Sequence, residues 1–118
     1  MKQVISINFF AGAGYVVEAG QLFVTQSGRP KVTFRMVIPR HPRLPKKNPA
    51  RGDFYSVIAL GDQFVPLVDH LKRGTPVVVI GYAQSRDVSV NGQKRTVNEI
   101  GADAVFLIRQ LSSKDNNQ

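Results

Sequence analysis

The chain has 118 residues, with sixteen Lys and Arg against eight Asp and Glu, a net charge of +8, no cysteine and no tryptophan. That length fits one domain, which buries roughly two-thirds of the surface its unfolded chain exposes and so holds a core without staples. The lack of cysteine excludes a disulfide frame, a thiolate nucleophile and a cysteine-ligated metal, while the charge surplus points to a polyanionic partner.

Residues 4–10 mix β-branched and aromatic side chains, as a buried first strand does. Residues 11–14, Ala-Gly-Ala-Gly, interrupt it. A second extended stretch covers residues 15–25, and Ser27-Gly28-Arg29-Pro30 reads as a turn. Residues 31–38 alternate: Val32, Phe34, Met36 and Ile38 share one face, while Lys31, Thr33 and Arg35 take the other. Residues 39–53 carry Pro39, Pro42, Pro45 and Pro49, which forbid regular structure. Among them stand Arg40, Arg43, Lys46, Lys47 and Arg51, with Asp53 the one acid. The segment reads as a stiff basic loop, a plain crossing or a polyproline segment. A strand resumes over residues 54–60.

One helix is predicted after Gly61. Phe64, Leu67, Val68 and Leu71 form an apolar stripe. Asp62 is placed to cap it, Lys72 and Arg73 suit its C-terminal end, and Gly74 stops it. A strand follows over residues 75–86. Asn91-Gly92 marks a hairpin, residues 94–100 pair back, and residues 104–108 form a final apolar segment. Residues 110–118 read as a polar disordered tail outside a domain of residues 1–109. The apolar runs are far short of the about 20 residues a membrane span needs, and residues 1–3 show no signal-peptide layout. The expectation is a cytoplasmic protein of all-β class: a five-stranded OB-fold barrel with one helix between strands 3 and 4.

Several stretches then resemble the bacterial single-stranded DNA-binding protein family. Leu22-Phe23-Val24-Thr25-Gln26-Ser27-Gly28 resembles the family's L-x-Y-T-x-S-G stretch. Residues 54–61, Phe-Tyr-Ser-Val-Ile-Ala-Leu-Gly, resemble its W-H-x-V-x-x-F-G strand. Leu71-Lys72-Arg73-Gly74 running to Gly81 resembles L-x-K-G followed by V-x-V-x-G. Ser85-Arg86, then Asn91-Gly92 leading to Glu99, resemble T-R-x-W and D-G-x-x-R-x-x-x-E. Together they span residues 4–108. The chain departs from the family at stacking positions: Phe54 replaces a tryptophan, Leu60 a phenylalanine and Val88 a tryptophan, while the loop tryptophan falls near His41 or Pro42. Asp62 stands where a lysine is usual. Residues 112–118 lack the family's acidic peptide, so no partner recruitment through an acidic tail is expected.

The resemblance implies sequence-independent binding of single-stranded DNA in replication, recombination or repair. Such binding needs a basic groove and flat side chains for the bases. Expected phosphate contacts are Lys31, Arg35, Arg40, Arg43, Lys46, Lys47, Arg51, Lys72, Arg73, Arg86, Lys94 and Arg95. Phe54 and Tyr82 are the expected platforms, with Tyr55 or Phe10 as further candidates; Phe54 has core packing as its other reading. About five neutralised phosphates would give a salt slope near −3.5. The resemblance further implies a homotetramer, or a dimer, with Val4, Ile5, Ile7 and Tyr55 at the contact. A rival reading is a primosomal assembly barrel with weak nucleic-acid binding. No enzyme, cofactor or metal is expected: the carboxylates are scattered, and His41 and His70 lie far apart with no third ligand nearby.

Overall fold

A computed structural model describes residues 5–43 and 52–108. It contains β1 (Phe10–Val24), β2 (Pro30–Ile38), β3 (Asp53–Leu60), a 3-10 helix (Asp62–His70), β4 (Pro76–Val90) and β5 (Gln93–Leu107). The strands close into a barrel in the order β1-β2-β3-β5-β4. All neighbours run antiparallel except β3 and β5, which pair in parallel at Val57↔Ile100 and Ile58↔Gly101. This is the expected OB-fold order, with its helix between the third and fourth strands.

The alternation of β2 is realised as read. Val32, Phe34 and Met36 are buried, and they meet Val16 of β1, Val57 and Ala59 of β3, Val77 and Val79 of β4 and Ile100 of β5. Phe64 and Leu71 close one end of this core, with Leu67 and Val68 partly buried against it. The predicted apolar stripe therefore holds, but the helix winds as 3-10. Pro66 sits inside it. Its missing N–H and its ring deny an α-helical bond to the carbonyl four residues back. Asp62 does not cap: Gly61 occupies that position, and no side chain bonds there. Asp62 lies instead in the first turn, where its charge suits the helix dipole.

The first strand is shifted from its expected place. Residues 5–9 join no ladder, and Ile5 and Ile7 are 91% and 89% exposed. Asn8 ends this segment by mimicking a strand residue: its side chain accepts from the Ala83 N–H at 2.9 Å and donates to the Ala83 carbonyl at 2.7 Å. The Ala-Gly-Ala-Gly stretch is no interruption. It is the start of β1, where a Cβ on residue 14 would collide with the Val37 carbonyl oxygen. β1 has irregularities between Val16 and Glu18 and between Glu18 and Gln21. Next to them, backbone bonds from the Gly20 N–H to the Leu71 carbonyl (2.8 Å) and from the Gly74 N–H to the Val16 carbonyl (2.7 Å) fasten the helix exit to β1.

β4 and β5 are longer than expected. They pair from Val77↔Leu107 to Val90↔Gln93, with one irregularity between Ile80 and Gly81. The apolar segment at 104–108 is thus largely the barrel half of β5. The outer half of the pair is an arm capped by Asn91 and Gly92, whose positive φ values of 52° and 78° suit the tight hairpin turn predicted there. Met36 is fully buried at the centre. Met36→Ala is expected to lower unfolding free energy by about 2–5 kcal/mol, measured by urea denaturation.

Candidate nucleic-acid interface

The outward residues of β2 are Lys31, Thr33 and Arg35, because the inward set fills the barrel. Register places Phe23, Gln21 and Glu18 of β1 opposite them on one side. Ile58 and Ser56 of β3 lie opposite Thr33 and Arg35 on the other side. Arg86 and Glu99 of the β4–β5 arm complete the wall. These side chains line an open groove of about 460 Å³.

Two phenylalanines stand exposed on this face, Phe23 at 45% and Phe54 at 44%. Each carries a cation on its ring. Lys31 Nζ lies 5.5 Å from the Phe23 centroid, and the Arg35 guanidinium carbon lies 5.2 Å from that of Phe54. With a strand rise of about 3.3 Å per residue, the two cation–ring units are about 13 Å apart along β2. Phe54 is therefore a surface ring and not a core residue.

Both arginines of the groove are also held by carboxylates. Arg35 Nη1 donates to Glu18 Oε2 at 3.2 Å, between exposed side chains. Arg86 Nε donates to Glu99 Oε1 at 2.9 Å, and Gln84 Nε2 donates to the same oxygen at 3.2 Å. Glu99 is only 5% exposed. Arg86 thus neutralises a buried acid with one edge while its mostly exposed side chain faces solvent. A buried carboxylate without such a partner is strongly unfavourable.

The remaining expected contacts are dispersed. Arg40 binds Asp53 at 2.9 Å where the 39–53 crossing meets β3. Arg43 is exposed, and its backbone N–H donates to His41 Nδ1. Lys46, Lys47 and Arg51 lie outside the described residues. Lys72 and Arg73 are exposed just past the helix and do not line the groove. Lys94 sits 3.3 Å from Asp87 on the arm, with Arg95 opposite Val88. Tyr82 is half-buried, and its ring covers Gly101 closely enough to exclude a Cβ there. Tyr55 and Phe10 are not on the groove face: they pack against the core with ring centroids 5.7 Å apart. Of the residues expected at a subunit contact, Tyr55 therefore points inward and Ile5 and Ile7 are exposed, while Val4 lies outside the described residues.

The family model for single-strand binding proteins matches residues 8–108. The chain belongs to the single-strand binding protein family. No match was found among curated proteins. Among solved structures it is similar to the Plasmodium falciparum SSB in complex with ssDNA, at 18% identity and a TM-score of 0.72, over 92% of this chain and 100% of that one. It is also similar to a small single-stranded DNA-binding protein from Streptomyces coelicolor, at 26% identity and a TM-score of 0.65, over 85% of this chain and 93% of that one.

In this single-strand binding barrel, sequence reasoning missed Phe23 as an exposed ring and Glu18, Gln21, Ser56 and Glu99 as groove residues. Phe23 and Glu99 both lie within motifs that carried the resemblance, yet neither motif tells which way a side chain points. The two β1 irregularities cancel by Gln21, so plain alternation from Val16 does turn Phe23 outward; it is Glu18, between them, that alternation misplaces. The Arg86–Glu99 pair yields a prediction. Arg86→Ala strands a buried acid and is expected to cost about 1–3 kcal/mol in urea unfolding. Adding Glu99→Gln is expected to restore most of that loss; an equally unstable double variant would show that the pair does not hold the arm.

Proposed function

We propose that this protein binds single-stranded DNA without sequence preference on the outer face of β1, β2 and β3. The observation that carries the reading is the pairing of exposed flat rings with cations: Phe23 beside Lys31 and Phe54 beside Arg35. Stacking is tolerant of sequence because every base has a π-face, and the phosphates follow the cations. Lys31, Arg35 and the exposed part of Arg86 act in the groove, with Lys94 and Arg95 further along the arm. A base seated on Phe23 or Phe54 is withheld from its complement. The protein acts by binding and not by catalysis, and serves replication, recombination or repair in the cytoplasm, where single-stranded intermediates arise.

The same barrel supports association with a second copy. On the outer face of β1, β4 and β5, register aligns Ala11, Ile80 and Ala104 in one row and Ala13, Val78 and Phe106 in the next, with Tyr15 beside Pro76. These rows hold no charged side chain, and Phe106 and Tyr15 are exposed. In a chain of net charge +8, an uncharged apolar face suits contact with a like-charged copy. Phe106→Glu is expected to reduce the mass measured by light scattering while leaving the barrel folded. A monomeric parent protein at micromolar concentration would defeat the oligomer reading.

Binding is tested by anisotropy of a labelled oligo-dT against a duplex of the same length over a salt series. At least about a hundredfold preference for oligo-dT is expected, within the range that two or three stacked bases supply. Phe23→Ala and Phe54→Ala are each expected to weaken oligo-dT binding by about 1–3 kcal/mol with the salt slope unchanged. Equal, weak and salt-labile binding to both ligands would instead favour an assembly barrel that supplies only charge.

A further inference from the structure

Gly101 has a reason to be glycine that its backbone does not supply. It is not among the glycines with positive φ, so its backbone would accept a side chain. The three atoms that an added Cβ would meet first are Cε2, Cζ and Oη of Tyr82. Register explains the meeting: Tyr82 stands opposite Gly101 in the β4–β5 ladder, and Gly101 stands beside Ile58 at the β3–β5 seam. Gly101 is buried, and the half-buried ring that covers it is outside the set of side chains packed on the core. We propose that Tyr82 is a third base platform, laid flat across the seam by Gly101, an inference that rests on the single-strand reading above.

The same registers carry the groove floor to this ring. Gln21, Thr33, Ile58, Gly101 and Tyr82 form one row across β1, β2, β3, β5 and β4, and Gln21, Thr33 and Ile58 line the groove. At a spacing of about 4.8 Å between strands, Tyr82 lies about 10 Å beyond Ile58. Along β4 it shares its outward side with Gln84 and with Arg86 of the groove wall. A strand held by Arg86 therefore reaches this ring without leaving the outer surface. A ring lying on a glycine has one face on the backbone and turns the other outward, as an unstacked base requires. Among the described residues no cation lies over Tyr82, whereas Phe23 and Phe54 each carry one. A base settles on Tyr82 without displacing a cation. The competing role is that of a cover alone, because an aromatic ring over a cross-strand glycine shields a weak point of a sheet whether or not DNA binds.

Three variants separate the two roles by anisotropy of labelled oligo-dT over a salt series. Tyr82→Leu keeps an apolar cover over Gly101 but has no flat face. It is expected to weaken oligo-dT binding about 5- to 150-fold, the worth of one stacked base, with the salt slope unchanged. Tyr82→Phe keeps the ring and is expected to bind as the parent does. Gly101→Ala keeps the ring but displaces it. Its new methyl meets the far end of a side chain, so the barrel is expected to stay folded in urea unfolding while binding falls as in Tyr82→Leu. Binding by Tyr82→Leu at the parent's affinity overturns the inference and leaves the ring a cover, while the single-strand reading stands. Binding by folded Gly101→Ala at the parent's affinity overturns the positioning by Gly101. If Gly101→Ala does not fold, Tyr82→Leu against Tyr82→Phe still decides whether the ring is a platform. If the parent protein shows no preference for oligo-dT over duplex, the single-strand reading fails and the inference fails with it.

Discussion

The barrel depends on a short seam. β3 and β5 meet in parallel through Val57↔Ile100 and Ile58↔Gly101 alone, while every other neighbour pair shares a longer antiparallel ladder. That seam turns a five-stranded sheet into a ring with no free edges at its waist, which removes the template for edge-to-edge aggregation. It also defines an inside and an outside for every strand. Val57 and Ile100 then pack into the core, and Ile58 faces out beside Gly101 with Tyr82 over it. Because the seam is so short, β5 leaves β3 soon after the closure. The rest of β5 toward its N-terminal end is free to pair with β4 as an arm.

The groove is a consequence of that departure. The arm carries Arg86 and Glu99 up to the outer surface of β2 and β3, so the floor and one wall come from segments separated by the whole 39–53 crossing. The opposite wall comes from β1, where an irregularity after Val16 turns Glu18 outward opposite Arg35 and a second restores the phase by Gln21. Backbone bonds to Leu71 and Gly74 pin the strand at that place. Core and groove are thus two faces of the same strand: Val32, Phe34 and Met36 hold the barrel, and Lys31, Thr33 and Arg35 between them line the groove.

Charge is distributed with more restraint than a net +8 implies. Among the described residues, Arg35, Arg40, Arg86 and Lys94 each have a carboxylate partner. Their contribution to a polyanion is therefore the difference between phosphate and the acid already held, which is smaller than that of a solvated cation. Under the proposed function, discrimination falls to groups that a duplex does not satisfy, the two exposed phenylalanine rings. The chain lacks tryptophan, and Phe23 adds a second exposed ring beside Phe54 that the family motif alone did not reveal.

Sequence by itself determined the strand and helix order, the inward set of β2, the apolar stripe of the helix, the Asn91-Gly92 turn, the single-strand family and the predominance of basic residues. These are local periodicities, turn chemistry and motif order, which need no knowledge of distant neighbours. It also marked Phe54 and Arg86 as residues of interest. Only the tertiary structure decided which cations are already neutralised, that Tyr55 and Phe10 face the core, that the helix around Pro66 winds as 3-10, and that Phe23 and Glu18 belong to the groove. Those facts arise from pairings between residues such as Glu18 and Arg35, or Arg86 and Glu99, far apart in the chain. They depend on strand register and on the β1 irregularities, and a shift of one residue in either would turn the same side chains to the opposite face.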